Sequence, residues 1–331
     1  MRRTLFLIGL LIFIQHEIFA QDPVFTQFYA SPILMNPAFA GSEGNTRIGL
    51  GYRNQWTGMN QNLSTYYAAA DNFVENINSG LGFSIINQKE ELTNYNFLQA
   101  NAAYSLHLQL SENWSFFPGI SFGVGLKNFN FRGLLLEDQI DLNNGNLPQS
   151  EDPFVENDNI TFFDVSVGGV LYGEKAWLGF SLRHLTKPDI SFVADENMPL
   201  SMYLSIHGGY TISLNSDYKS FGNSGNSLLF LTFNYMKQDQ FNRLDLGVEF
   251  EVSRFYFGIL AATVIEKIPD NTETLLSINP LAGIEFKKMK IGFSYDFPIS
   301  NIGSSAGTTE ITFQYYIRKT KERKRRWQVK N

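Results

Sequence analysis

Arg47-Ile48-Gly49-Leu50-Gly51-Tyr52-Arg53-Asn54-Gln55-Trp56 alternates at every step. Ile48, Leu50 and Tyr52 fall on one side, and Arg47, Gly49, Gly51, Arg53 and Gln55 on the other. This is the period of a strand with one apolar face and one face of cations, amides and glycines. Upstream lies an irregular lead-in, Phe28-Tyr29-Ala30-Ser31-Pro32 and then Asn36-Pro37-Ala38-Phe39-Ala40-Gly41. Its two prolines break regular structure, and the proline after Asn36 holds that residue extended. An irregular segment feeding such a strand is how a membrane barrel begins, and the rest of the chain decides whether it is one.

The same alternation recurs to the end of the sequence. It is clearest where Trp114, Phe116, Pro118, Ile120, Phe122, Val124 and Leu126 oppose Ser115, Phe117, Gly119, Ser121, Gly123, Gly125 and Lys127. Pro118 marks either a bulge or the start of that strand. Later runs set Leu244, Leu246, Val248, Phe250 and Val252 against Arg243, Asp245, Glu249 and Glu251, and Ile311, Phe313, Tyr315 and Ile317 against Glu310, Gln314 and Arg318. The tally is about fourteen strands, an even number as antiparallel single-chain outer-membrane barrels require. With the N-terminus starting in the periplasm, connections after odd strands face outward, including Phe129–Asn159, Lys187–Pro199, Glu266–Glu273 and Pro298–Thr308. Those after even strands are short, as at Gly173-Glu174, Ser253-Arg254 and Lys287-Lys288, with moderate exceptions at Phe73–Ser79 and Ser213–Ser227.

Bulk properties agree. Aromatics make up 15% of the chain, with 30 Phe, 15 Tyr and 27 Gly, yet mean hydropathy is only −0.15. Such a balance follows when every strand is half apolar and half polar. Past the first residues no apolar run suffices for a membrane helix. Arg2 and Arg3 followed by the apolar run Leu5 to Ile14, with Ala20 before Gln21, read as a cleaved export signal over residues 1–20. The irregular segment then covers 21–46, the transmembrane antiparallel β-barrel 47–318 and a basic periplasmic tail 319–331, which carries Lys319, Lys321, Arg323, Lys324, Arg325, Arg326 and Lys330. The fold expected is all-β, with the irregular segment a candidate plug for the lumen. A soluble sandwich would put its polar residues outside; here the charged, glycine-dotted faces suit a lumen and the Phe- and Leu-rich faces suit hydrocarbon.

Chemistry is sparse. The chain has no cysteine, so thiolate chemistry, disulfides and a lipoprotein anchor are absent. His107, His184 and His207 lack Glu or Cys at ligand spacing, so neither a metal nor another cofactor is implied. His207 beside Ser205 is the nearest approach to a nucleophile–base pair, and its ordinary reading is a lumen hydrogen-bond network, which makes the protein no enzyme. The strand bearing Arg243, Asp245, Glu249 and Glu251 reads as a solvated wall that Arg47, Arg53, Lys127, Arg183, Lys290 and Arg318 either neutralise across the lumen or join in lining a passage. Nucleic acid is not an expected partner.

Phe25-Thr26-Gln27-Phe28, the Asn36-Pro37-Ala38 turn and Tyr52-Arg53-Asn54-Gln55-Trp56 together resemble the PorP/SprF family, outer-membrane proteins of the type IX secretion system and gliding machinery of Bacteroidota. The resemblance implies Asn36, Pro37, Arg53, Gln55 and Trp56 as signature positions without an assigned role. It also implies work on type IX cargo: assisting export or surface anchoring of a large adhesin by binding its C-terminal sorting domain. Other secretion components, some periplasmic, and outer-membrane lipid are the further partners. The alternative is an outer-membrane transport channel for a small or hydrophobic solute, with the Asn-Pro segment as an internal hatch and Gly123, Gly125 and Gly209 leaving room in the lumen.

Overall fold

The computed structural model describes residues 22–57, 62–90, 94–129, 140–141, 145–146, 159–193, 197–214, 227–266, 275–299 and 307–317. The export signal, most of the 129–159 connection, Arg318 and the basic tail lie outside these residues.

Fourteen strands form one closed antiparallel barrel. In chain order they are β1 (Thr46–Gln55), β2 (Leu63–Val74), β3 (Ser79–Glu90), β4 (Asn96–Leu106), β5 (Trp114–Asn128), β6 (Asn159–Gly173) and β7 (Ala176–Arg183). The second half is β8 (Tyr203–Leu214), β9 (Ser227–Gln238), β10 (Phe241–Val252), β11 (Phe255–Thr263), β12 (Leu275–Phe286), β13 (Met289–Pro298) and β14 (Thr308–Ile317). Each strand pairs with its sequence neighbours, and β1 closes on β14 from Thr46↔Ile317 to Asn54↔Thr309. A two-residue ladder joins Ile140–Asp141 to Gly145–Asn146 in the longest connection.

Exposure separates barrel from sandwich. Leu50 is 45% exposed while Arg47 and Arg53 of the same strand are each 3% exposed. Phe83, Phe122, Val124, Phe163, Phe257 and Phe293 likewise stand outside, whereas Thr65, Ser105, Ser181, His207 and Ser294 are fully buried. The distribution is inverted relative to a water-soluble fold, and only a closed sheet pairs every backbone group against lipid.

Two expectations change. Pro118 is neither a bulge nor a strand start: it lies inside β5 and pairs with Gly169 of β6. Lacking an N–H, proline cannot donate to the ladder. The pairing with the preceding strand skips Leu106 and His107, then resumes in the same register at Leu108↔Phe116. The freed His107 N–H donates to the Asn78 carbonyl at 3.0 Å. Loop parity also has a further exception, because β9 and β10 are joined on the long-loop side by Asp239 and Gln240 alone. Asp239 takes a φ of 51° there, the left-handed backbone that a two-residue hairpin turn requires.

Candidate functional site

Residues 22–45 lie within the lumen. Proline sets each of their short turns: Pro32 opens one helical turn, Pro32–Met35, and Pro37 opens a 3-10 turn, Pro37–Phe39. Between them Asn36 is extended, as a residue before proline must be, and its Oδ1 accepts from Ala38 N at 2.9 Å. Backbone hydrogen bonds such as Ala30 N–H to Gln27 and Ser42 N–H to Phe39 close its turns, and Asp22, Thr26, Gln27 and Gly41 donate their N–H groups to side chains of the barrel wall.

Its apolar side chains serve four separate wall sectors. Phe25 packs on Tyr67, Ile86, Phe97 and Phe162, and Phe28 on Tyr256, Leu260 and Leu281. Ile33 meets Ala69 and Ala103, and Phe39 meets Phe117, Val170 and Tyr172. A fully buried side chain of this size contributes about 1.5–3 kcal/mol, so the segment is the hub of the interior.

Polar anchors run the length of the lumen. At the long-loop end, Asp22 bonds His184 Nε2 at 2.8 Å and Arg183 at 3.0 Å, and its N–H donates to Gln238. The other His184 ring nitrogen meets Asp164 at 2.9 Å. Below this, Arg53 spans Asp296 at 2.8 Å and Glu310 at 2.9 Å. The same carboxylates hold the segment: Glu310 accepts from the N–H groups of Thr26 and Gln27, and Asp296 accepts from the Thr26 hydroxyl. Midway, Asn36 Nδ2 donates to the Phe180 carbonyl at 2.9 Å and reaches His207 Nε2 at 3.1 Å. One set of proton positions satisfies the whole chain: Asn36 donates to His207 Nε2, His207 Nδ1–H to Ser205, and Ser205 to Asn234 Oδ1. At the short-turn end Gly41 N–H donates to Asp71, which Arg47 holds at 2.8 Å.

Close backbone approach needs glycine at two wall positions. A Cβ on Gly80 would lie 1.8 Å from the Ala40 carbonyl oxygen, and one on Gly119 2.4 Å from Ala38 N. Cavities flank the segment among the described residues. One lies toward β2–β6, between Phe25, Leu34, Tyr67 and Ile86. Another, of about 180 Å³, lies toward β9–β14 at the short-turn end, over Met35, Phe39, Phe230 and Leu260.

The family model for "Type IX secretion system membrane protein PorP/SprF" matches residues 17–315, nearly the whole chain and the whole barrel just described. The chain belongs to the PorP/SprF family. It is thereby an outer-membrane β-barrel component of type IX secretion. Among solved structures, the TodX deltaS2S3 mutant monoaromatic hydrocarbon channel matches at a TM-score of 0.52 with 9% identity, over 86% of this chain and 93% of that one. The CymD monoaromatic hydrocarbon channel matches at 0.51 with 13% identity, over 87% and 93%. At such identity the likeness is one of fold. No curated protein matches the chain.

The positions that the resemblance singled out split by location. Arg53 donates to Thr26 in one buried cluster, so the start of the lumen segment and the end of β1 hold each other. Asn36 and Pro37 sit mid-lumen, away from that cluster. Gln55 is half-buried at the rim, and Trp56 is exposed there with a φ of 59°. Sequence reasoning passed over Asp22, Asp164, His184, Asp296 and Glu310 as anchors; period 2 assigns each strand residue among them to a face but not to a partner.

Three expectations about the lumen are corrected. The cations do not neutralise the Arg243–Glu251 wall as a group. Lys290 pairs with it, at 3.4 Å from Glu249, while the ion pairs of Arg47, Arg53 and Arg183 are with Asp71, with Asp296 and Glu310, and with Asp22. Gly123, Gly125 and Gly209 open no passage, because Asn101, Phe162 and Trp177 fill the space above them. The described chain begins at the long-loop end, opposite the start of β1, since Asp22 bonds residues at the far ends of β7 and β9.

Breaking the Arg53 cluster tests its grip. Arg53→Met strands two buried carboxylates and is expected to cost about 3–5 kcal/mol in urea unfolding from micelles, with Arg53→Met/Glu310→Gln recovering part of that loss. Equal losses in the two variants would contradict the arrangement.

The Asp22–His184 latch carries a pH dependence. Burial alone would lower the His184 pKa, but the carboxylates of Asp22 and Asp164 outweigh it and raise it from 6.5 to about 9. Burial likewise opposes the Asp22 charge, and His184 and Arg183 override it, holding the carboxyl well below its ordinary 3.8. The His184 contribution is full below pH 6.5 and lost as pH rises through about 9; that of Asp22 is full above 3.8 and lost only in strong acid. A nitroxide on Val24→Cys should therefore show a mobile fraction rising between about pH 8 and 10, absent at pH 6. A spectrum unchanged to pH 10 would count against the latch.

Proposed function

We propose that this PorP/SprF protein is a non-enzymatic scaffold that assists export or surface anchoring of a large adhesin by binding its C-terminal sorting domain. What carries the reading is the occupation of the lumen by the chain's own residues 22–45, whose anchors engage inward groups from Arg53 on β1 to Glu310 on β14. Wall groups bonded to this segment are committed internally, which leaves the two mouths as binding surfaces. On this proposal the long-loop mouth, which includes the start of the mature chain, holds the cargo domain. The short-turn mouth faces periplasmic secretion components, and the Phe- and Leu-rich belt contacts outer-membrane lipid. The Ser205–His207 pair supports no hydrolysis, since both residues are buried beneath Asn36 and the imidazole is occupied on both nitrogens.

A second reading, a channel for a small hydrophobic solute, draws on the apolar cavity beside Met35, Phe39, Phe230 and Leu260. The monoaromatic hydrocarbon channels that share the fold make it concrete.

The two separate in one experiment. The purified barrel, immobilised in detergent, is offered the C-terminal sorting domain of a type IX adhesin and, separately, a radiolabelled monoaromatic hydrocarbon. Saturable retention of the domain without hydrocarbon uptake supports the scaffold, and the reverse result overturns it.

A further inference from the structure

Lys127 is a lumen cation left without a counter-charge among the described residues, although only 9% of it is exposed. Arg47, Arg53, Arg183, Arg243 and Lys290 each have a carboxylate oxygen within 3.4 Å. What Lys127 has instead is an aromatic face, its Nζ lying 5.2 Å from the Phe192 ring centroid. A ring face attracts a cation. Yet an ammonium carries three donors, and a buried charge without an ionic partner is costly.

The surroundings suit a small anion. Lys127 lines a cavity of about 20 Å³ at the long-loop end of the lumen, together with Gln88, Tyr95, Phe97, Phe162, Ile190 and Leu200. Register explains the convergence: Gln88 pairs with Phe97 and Phe97 with Lys127, so amide and ammonium flank that phenylalanine across β3, β4 and β5. Gln88 is 7% exposed, and its side-chain amide takes no partner among the described residues. Phe162, Ile190 and Leu200 are buried apolar walls. Asp22, which borders the same cavity, is engaged by His184 and Arg183, and Asp164 on β6 by His184. A single water needs roughly 10–15 Å³ on this measure. The space therefore admits the two oxygens of a carboxylate and not the four of a phosphate, and the rest of any ligand must stand in the mouth.

We propose that Lys127 and Gln88 form a carboxylate-binding pocket at the long-loop mouth, occupied by the C-terminal carboxylate of the polypeptide held there. The pocket stands on its own geometry, whereas its occupant rests on the scaffold reading. A carboxylate at a chain end enters a recess this narrow without bringing flanking backbone on both sides. Lys127 supplies the charge, Gln88 a neutral donor, and the apolar walls exclude the water that would screen the pair. The pocket then reads the end of a completed chain rather than its sequence.

Two measurements on the refolded full chain in detergent micelles separate pocket from occupant, with heat-modifiable gel mobility confirming closure of every variant. In the first, acetate labelled at its carboxyl carbon is titrated with the barrel and its NMR line width followed. Saturable broadening is expected, with affinity lowered at least about tenfold in Lys127→Met and by a smaller factor in Gln88→Leu. Inorganic phosphate should not displace the acetate. In the second, the C-terminal sorting domain of a type IX adhesin is offered with a free terminal carboxylate and as the terminal amide. The free acid should bind at least about tenfold more tightly, and Lys127→Met should make the two forms alike. Absence of saturable acetate binding, or binding that Lys127→Met leaves intact, overturns the pocket, and displacement by phosphate overturns its selection of a carboxylate. Acetate binding with acid and amide domains retained alike overturns the polypeptide end as occupant, in favour of a small free acid. Retention of neither form contradicts the scaffold reading and the occupant together, while the acetate titration still decides the pocket.

Discussion

A strand edge cannot be left open in hydrocarbon, because no water is present to satisfy it and each unpaired group costs several kcal/mol. The β1–β14 ladder removes the last edge, and the rest of the molecule follows from that closure. Once the sheet is a cylinder, its outer face must match lipid and its inner face must find other partners. Leu50, Phe122 and Phe257 answer the first demand and Arg47, Arg53 and Glu310 the second. The inner demand is the harder one, since charges taken from water are stable only when paired and fully hydrogen-bonded.

The lumen segment meets that demand with the chain's own backbone. Glu310 accepts from two consecutive N–H groups of the segment while Arg53 neutralises it, so one carboxylate joins a strand at each end of the sequence to residues 26 and 27. Asp71 does the same at the other end with Arg47 and Gly41 N–H. The segment is therefore more than filler. Its irregular backbone would be costly anywhere without partners, and the wall groups would be costly without it. Scaffolding suits such an interior, because the walls are occupied and the exposed chemistry is at the mouths.

Much of this was legible in the sequence, and the reason is periodicity. The alternation of Arg47 to Gln55 and of Trp114 to Lys127 assigns each residue to a face without any knowledge of neighbours, and short turns such as Ser253-Arg254 reveal the chain's up-and-down path. Strand count and closure followed from those two facts. Partners did not, because they depend on how far each strand slides against the next. Arg53 reaches Asp296 and Glu310 rather than the acidic wall of β10 for that reason. The long-loop position of residue 22 was hidden as well, since a segment without periodicity carries no direction. Glycines misled in the same way: Gly123 and Gly125 look like open space in one dimension but make room for Asn101 and Phe162 in three.

The account rests on the lumen being filled by residues 22–45, and single-channel recording in planar bilayers tests that most directly. The barrel carrying residues 22–45 is compared with one lacking them. The account predicts a nearly silent barrel with the segment and large, steady conductance steps without it. Equal, steady conductance from the two would contradict it.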